Sequence, residues 1–192
     1  MHCSSMPPVM RVALYEINNG ECPYLPNRTW VTKAFRADRM PEELYEYLLN
    51  EGWRRSGVIF YKNRCPGCSL CIPIRVPAER FAPSKSQRKI LRKNRDLTIR
   101  RYPTGPSEEI LALYRKYHQA RHAADEEVSE TTYMSFLGRS PIHTDIMEYR
   151  LGHTLVGAGW IDVLPEGLST VYFIFDPDYG HRSLGTFSAM KE

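Results

Sequence analysis

Residues 144–175, TDIMEYRLGHTLVGAGWIDVLPEGLSTVYFIF, hold the reading that decides the fold. Three runs rich in apolar and β-favouring residues, Thr144–Leu151, Thr154–Asp162 and Leu168–Phe175, are separated by turns at Gly152 and at Pro165-Glu166-Gly167. Three strands joined by short turns make a meander. Helical patterns come just before it. Ser107 is placed to cap a helix whose first turn carries Glu108 and Glu109 and whose apolar stripe is Ile110, Leu111, Tyr114 and Tyr117. A second short helix is expected over 130–137. Helices followed by a meander give an α+β pattern.

Working back towards the N-terminus, Pro103-Thr104-Gly105-Pro106 is the best linker in the chain. It divides the sequence into expected domains at 9–102 and 107–192. The first is expected to hold strands at Val9–Ile17, Thr29–Ala37 and Trp53–Tyr61, the last kinked at Ser56-Gly57. A helix should open at Pro41 and stop at Gly52, and a short strand should lie near Ile74-Arg75-Val76. Ser84 to Arg95 fits a helix with Ser84 as N-cap, and Leu97 to Tyr102 alternates as a strand.

The chain has 192 residues, 42% of them hydrophobic, enough for a packed core. Its net charge of +4 is unevenly spread. Residues 1–101 carry 19 Lys/Arg against 9 Asp/Glu, and residues 102–192 carry 7 against 13. The first half is suited to a polyanion and the second is not. No apolar run is long enough to span a membrane, and the N-terminus lacks the pattern of a signal peptide. A cytoplasmic protein with no membrane partner is expected.

Two clusters carry chemistry in the first half. Cys65, Cys68 and Cys71 form C-x2-C-x2-C, and Cys22 is available as a fourth thiolate, a set that suits zinc or an iron–sulfur cluster. Position 75, where a ferredoxin run would place another cysteine, is Arg75. Unliganded cysteines in a turn are the alternative, and Cys3 reads as a free thiol. The second cluster is basic: Lys85, Arg88, Lys89, Arg92, Lys93, Arg95, Arg100 and Arg101, with Asp96 as the only acid. Without interleaved acids such a helix repels itself unless a polyanion covers it, and nucleic acid is the expected one. His118 and His122, four apart on a helix, lack a third ligand and read as surface residues.

In the second half, Phe173 to Gly185 runs from a strand through an acidic turn into Arg182-x-x-Gly185 and a helix. This resembles the acyl-carrier loop of GNAT acetyltransferases, where a helix start holds a pyrophosphate. Phe187 stands where that motif has Gly or Ala, which argues against coenzyme A.

Taken together the motifs resemble the aminoacyl-tRNA–protein transferases. The resemblance rests on Cys22-Pro23-Tyr24-Leu25-Pro26, Gly52 to Gly57, the cysteine run through Pro73 and Arg75, and Phe81-x-Pro83 to Lys89. It continues in Asn94-x-Asp96-Leu97, Tyr133, Asp162-Val163-Leu164, Gly167-Leu168-Ser169, Val171-Tyr172, Phe175-Asp176-Pro177 and Arg182 to Phe187. It implies an N-terminal cysteine-bearing α/β domain followed by a GNAT-like mixed-sheet domain. It implies transfer of an amino acid from charged tRNA to the N-terminal amine of a protein, marking it for degradation. The compact C-P-Y-L-P form resembles the bacterial branch, which adds leucine to Asp or Glu. The eukaryotic branch, which adds arginine, is the alternative, and a tRNA-binding module without catalysis is a second.

Transfer itself requires no cofactor, and neither DNA nor membrane is expected as a partner. The expected tRNA contacts are Lys85, Arg88, Lys89, Arg92, Lys93 and Arg95. Arg54, Arg55 and Arg75 are expected to bind the acidic N-terminus of the protein substrate, since a guanidinium forks onto a carboxylate. Asp176 and Tyr172 are the expected groups to take or relay the amine proton, with Arg182 beside them. The family's second domain continues beyond the Arg-x-x-Gly helix, whereas this sequence ends at Glu192. An incomplete sheet with an open edge, weak activity and a tendency to aggregate are therefore expected.

Overall fold

The computed structural model describes residues 9–122 and 128–192. Cys3 lies outside them. Two antiparallel four-stranded sheets organise the described chain. The first has the order β1-β2-β4-β3, from Tyr15–Glu21 (β1), Thr29–Arg36 (β2), Arg54–Ser56 (β3) and Ile59–Asn63 (β4). The second has the order β5-β6-β7-β8, from Leu97–Pro103 (β5), Thr144–Leu151 (β6), Thr154–Leu164 (β7) and Gly167–Phe175 (β8).

Helix α1, Glu42–Asn50, begins after Pro41 and ends at Gly52, whose φ is 83°. The Gly52 N–H bonds the Leu49 carbonyl and the Trp53 N–H bonds the Leu48 carbonyl, each at 2.9 Å. This pairing caps a helix through a left-handed residue, which glycine adopts without strain. The helix covers the first sheet, where Phe35 and Phe60 stack at 5.1 Å and Tyr45 meets Phe60 edge-on at 5.3 Å.

The expected α+β class holds, and β6 to β8 fall where the meander was read. The second sheet is wholly antiparallel rather than mixed. Strands β6 and β7 are buried on both faces, because helices cover both. On one face lie α3, Glu108–His122, and α4, Glu130–Tyr133, packed over Ile146, Ala158, Trp160 and Ile174. The Ser107 hydroxyl accepts from Ile110 N–H at 3.3 Å, as the cap reading predicted. On the other face lie α5, Leu184–Ala189, and the basic helix α2, Lys85–Lys93, over Met147, Tyr149, Val156 and Ile161.

Three expectations are corrected here. The strand read at Val9–Ile17 begins only at Tyr15, where β2 supplies a partner. No strand forms at Ile74-Arg75-Val76. Ile74 is 85% exposed and is flanked by Pro73 and Pro77, which have no N–H to give a ladder. Strand β5, read with the first domain, pairs with β6, and Ile90 and Leu91 of α2 pack on the second sheet. Both α2 and β5 thus pack with the second sheet, although they precede the Pro103–Pro106 linker.

The single kinked strand expected over Trp53–Tyr61 is instead two, β3 and β4, joined by a two-residue hairpin turn at Gly57-Val58, with Gly57 at φ 56°. A Cβ at Gly57 would stand 2.5 Å from the Ser135 carbonyl oxygen. Gly57→Ala combines backbone strain with a clash against backbone, and should destabilise by about 2 kcal/mol. A melting temperature equal to that of the unaltered chain would remove this account.

Candidate nucleic-acid interface and transfer site

Helix α2 is built to present charge. Its Ser84 hydroxyl accepts from Gln87 N–H at 3.3 Å, and the Gln87 side chain accepts from Ser84 N–H at 2.7 Å. This capping box fixes the first turn. Lys85, Arg88, Lys89, Arg92, Lys93 and Arg95 are all exposed. Arg88, Arg92 and Arg95 line one side of a cavity of about 510 Å³, with Lys191 of the C-terminal turn also on its wall. Lys93 Nζ donates to the His181 carbonyl. Five of the six lie on α2 and Arg95 just beyond its end.

The C-terminal end of α2 is bolted to the loop that follows β8. Arg182 makes a two-pronged bond to Asp96, both prongs at 2.9 Å, and its guanidinium is three-quarters or more buried by side-chain area. These bonds hold the Asp96 carboxyl below its ordinary range. The resemblance to a coenzyme A phosphate loop ends there. Arg182 is committed to a carboxylate and Phe187 is buried in the core beneath α5, a helix of six residues.

Asp176 opens this loop. Its Oδ1 accepts from the Asp178 N–H at 3.0 Å and lies 2.6 Å from Lys116 Nζ, which also bonds Asp178 at 2.7 Å. Hydrogen bonds to the two carboxylates raise the Lys116 pKa and keep the ammonium charged. Phe175 sits beside Asp176 between Tyr117, at 5.3 Å, and the Arg121 guanidinium, at 5.4 Å. Asp176 thus caps a turn and carries a cation. Lys116 and Arg121 gave no signal in the sequence beyond being polar positions on a helix.

Tyr172 stands on β8, opposite Trp160 of β7. It packs on Phe136 at 5.2 Å and Tyr114 at 6.2 Å. Burial, with the neighbouring Tyr114 and Tyr117, pushes its pKa up to about 12, so at neutral pH the phenol keeps its proton. In that form the hydroxyl is able to donate a hydrogen bond. Tyr133, also on this face, has its pKa raised to about 12 by burial. Its hydroxyl and the Trp160 Nε1 are buried with no hydrogen-bond partner. An unpaired buried hydroxyl costs about 1–3 kcal/mol, so Tyr133→Phe should hold or raise the melting temperature. A drop in stability would show that the hydroxyl has a partner that matters.

The three arginines expected to bind an acidic N-terminus stay with the first sheet. Arg54 donates to the Trp53 carbonyl at 2.9 Å, and Arg75 donates to Asn50. Arg55 is engaged within the protein. It is 7% exposed and is spent on Asp162, itself 0% exposed. Arg55 Nε donates to Asp162 Oδ2 at 2.7 Å, and its Nη2 donates to Asp162 Oδ1 and, at 3.0 Å, to the Thr144 hydroxyl. This network joins β3 of the first sheet to β6 and β7 of the second. Asp162 lies six residues along β7 from Val156, whose carbonyl bonds the Asp176 N–H. At about 3.3 Å per residue that is roughly 20 Å.

None of the four described cysteines, Cys22, Cys65, Cys68 and Cys71, is in a disulfide. The Cys65 Sγ faces the Val31 backbone, 3.5 Å from N and 3.7 Å from O, and the Cys65 carbonyl accepts from Cys68 N–H at 3.2 Å. Cys71 is exposed. Among the described residues no three His, Cys, Asp or Glu side chains gather as a group able to hold a metal ion. In this placement Cys22, Cys65, Cys68 and Cys71 do not converge on one point. No described helix is long and apolar enough to cross a membrane.

Comparison with known proteins places this geometry. Residues 20–89 match the family model "Arginine-tRNA-protein transferase, N terminus", and residues 109–192 match "Arginine-tRNA-protein transferase, C terminus". The chain is 36% identical over 189 residues to the aspartate/glutamate leucyltransferase of Pseudomonas putida strain W619, covering 96% of this chain and 80% of that protein. It is 37% identical over 174 residues to the aspartate/glutamate leucyltransferase of Marinobacter nauticus, covering 88% and 73%. A protein of the same description from Chromohalobacter salexigens is 36% identical over 176 residues, covering 89% and 71%.

Proposed function

This chain belongs to the arginine-tRNA-protein transferase family, and on that premise we propose that it moves leucine from leucyl-tRNA to the amino group of proteins beginning with Asp or Glu. The observation that carries the choice of leucine is the likeness to aspartate/glutamate leucyltransferases across 96% of the chain. The chain acts as an aminoacyltransferase that adds a destabilising residue to its protein substrate.

The reaction is aminolysis of an ester. The amine nitrogen bonds the leucyl carbonyl carbon, the ester C–O bond breaks, and the amine proton ends on the ribose hydroxyl that is released. No covalent enzyme intermediate is needed. An α-amine has a pKa of about 7.7–8.0, so roughly a tenth of it is already neutral at pH 7. Strong general-base catalysis is therefore not the main demand. Holding amine and ester in line, and placing donors at the developing oxyanion, are. The α2 cations hold the acceptor arm by its phosphates. Tyr172, a protonated phenol, serves as a donor towards the transfer centre. The Asp176–Lys116 pair, joining the end of β8 to α3, is the candidate proton relay. Arg54 and Arg75 remain the candidate cations for the acidic side chain, each on an exposed or half-exposed stretch of the first sheet's side of the chain.

The test uses the purified chain with tRNA carrying labelled leucine, or labelled arginine, and peptides beginning with Asp, Glu or Ala. Label should pass from leucyl-tRNA to the Asp and Glu peptides only. Transfer from arginyl-tRNA alone would retain the family and overturn the amino acid. Binding of tRNA without transfer from either would reduce the chain to a binding module.

A further inference from the structure

Helix α3 brings two cations to the end of β8, and they are used differently. Lys116 Nζ lies 2.6 Å from Asp176 Oδ1 and 2.7 Å from Asp178 Oδ2. Further along the helix, the Arg121 guanidinium stands 5.4 Å from the centre of the Phe175 ring. Tyr117, one turn before Arg121, meets the same ring edge-on at 5.3 Å. The last turn of a helix favours any cation. The seat over Phe175 suits a guanidinium in particular, because its flat face rests on the ring and leaves the N–H groups at its edge free.

Those N–H groups are unspent. Of the other described cations at the end of β8 and the loop after it, Arg182 is paired with Asp96, Lys93 donates to the His181 carbonyl and Lys116 serves two aspartates. Arg121 is exposed and meets no carboxylate or other hydrogen-bond acceptor among the described residues.

Spacing and charge define what would bind there. The helix rises about 7.5 Å from Lys116 to Arg121, so the guanidinium lies a short step from the Asp176 carboxylate that Lys116 holds. Asp176 and Asp178 set two carboxylates against the one ammonium of Lys116, and the surplus negative charge draws an amine. Arg121 draws an anion, and its fork matches a carboxylate. An amine and a carboxylate separated by only a few bonds are the two ends of an N-terminal acidic residue. Arg54 offers no such span. It neighbours Arg55, whose partner Asp162 stands roughly 20 Å along β7 from the residue that holds the Asp176 N–H, farther than one side chain reaches.

We propose that Arg121 is the specificity-determining residue for the protein substrate, its guanidinium taking the side-chain carboxylate of the N-terminal Asp or Glu while the amine lies at Asp176. This rests on the reading of the chain as a transferase for acidic N-termini, and it puts Arg121 in the place of Arg54 and Arg75 as the cation that reads them.

The experiment compares peptides that differ only in that carboxylate. Transfer of labelled leucine is measured to one peptide headed by Asp and one headed by Asn, and the ratio of the two kcat/KM values is taken for each protein. That ratio does not depend on how much of a preparation is folded. Arg121→Gln should lower it by about tenfold or more, through the KM for the Asp peptide and with kcat little changed. Arg121→Lys keeps the charge and loses the fork, and should retain part of the preference. A ratio that Arg121→Gln leaves unchanged, while the unaltered chain prefers Asp, would overturn the assignment and leave the transferase reading standing. Failure of the unaltered chain to transfer to either peptide would remove that reading and the assignment with it.

Discussion

Arg55→Ala should destabilise the protein by about 3–5 kcal/mol, because it leaves the Asp162 carboxylate charged and unpaired inside the core. Of the substitutions considered, it should lower the melting temperature most. The two side chains come from positions 107 apart in sequence, and no water reaches either. Thr144 bonds Asp162 at 2.6 Å and Ser140 at 2.6 Å, so loss of the guanidinium also leaves hydroxyls poorly placed. Replacing both charges at once, Arg55→Met with Asp162→Leu, should cost less than either single change. An apolar pair of similar volume needs no desolvation of ions. Thermal melts of the four proteins in this cycle test the account. An Arg55→Ala chain that melts normally and loses only affinity for Asp- and Glu-headed peptides would return Arg55 to the substrate.

Glutamine at Lys85, Arg88, Lys89 and Arg92 together should weaken tRNA binding by at least about 100-fold near physiological salt. It should lower the salt slope by on the order of three. Each cation that meets a phosphate releases a counterion, and four fewer releases flatten the dependence. Stability should move little or rise. Lys85 and Lys89, like Arg88 and Arg92, are spaced four apart on one helix and repel by about 0.2–0.5 kcal/mol per pair. The opposite signs make the result easy to read, since a folding defect would lower both quantities. An unchanged salt slope would show that α2 faces no phosphates, and the nucleic-acid interface would have to be sought elsewhere.

The two results turn on different kinds of information. Helix α2 was legible almost completely. Ser84 and Gln87 stand at capping-box spacing, the basic residues fill the next two turns, and both depend only on neighbours a few positions away. The same holds for β6 to β8, where each run and its turn lie within a dozen residues. The Ile74-Arg75-Val76 strand misread comes from the same local logic. Three β-favouring residues satisfy propensity, yet a strand exists only where another supplies the ladder, and none does so there.

The candidate site divides along this line. The basic residues of α2 came from composition and spacing. That Arg55 is a structural clamp, that Arg182 belongs to Asp96, and that Lys116 attends Asp176 could not be read in advance. An arginine in sequence carries the same charge whether it meets a substrate or a buried aspartate. Asn94 was noticed only as one letter of a family motif. Its amide nitrogen ties the end of α2 to the Arg182 carbonyl.

By itself the sequence determined the α+β class, the charged helix, the meander and the family. These rest on periodicity, capping chemistry and ordered motifs, all short-range or cumulative along the chain. Only the tertiary structure decided that β5 joins the second sheet, that the sheets are clamped through Arg55 and Asp162, and that Lys116 pairs with Asp176. Those features depend on which distant groups exclude water from each other. Burial converts an ordinary charge or amide into one that must find its partner.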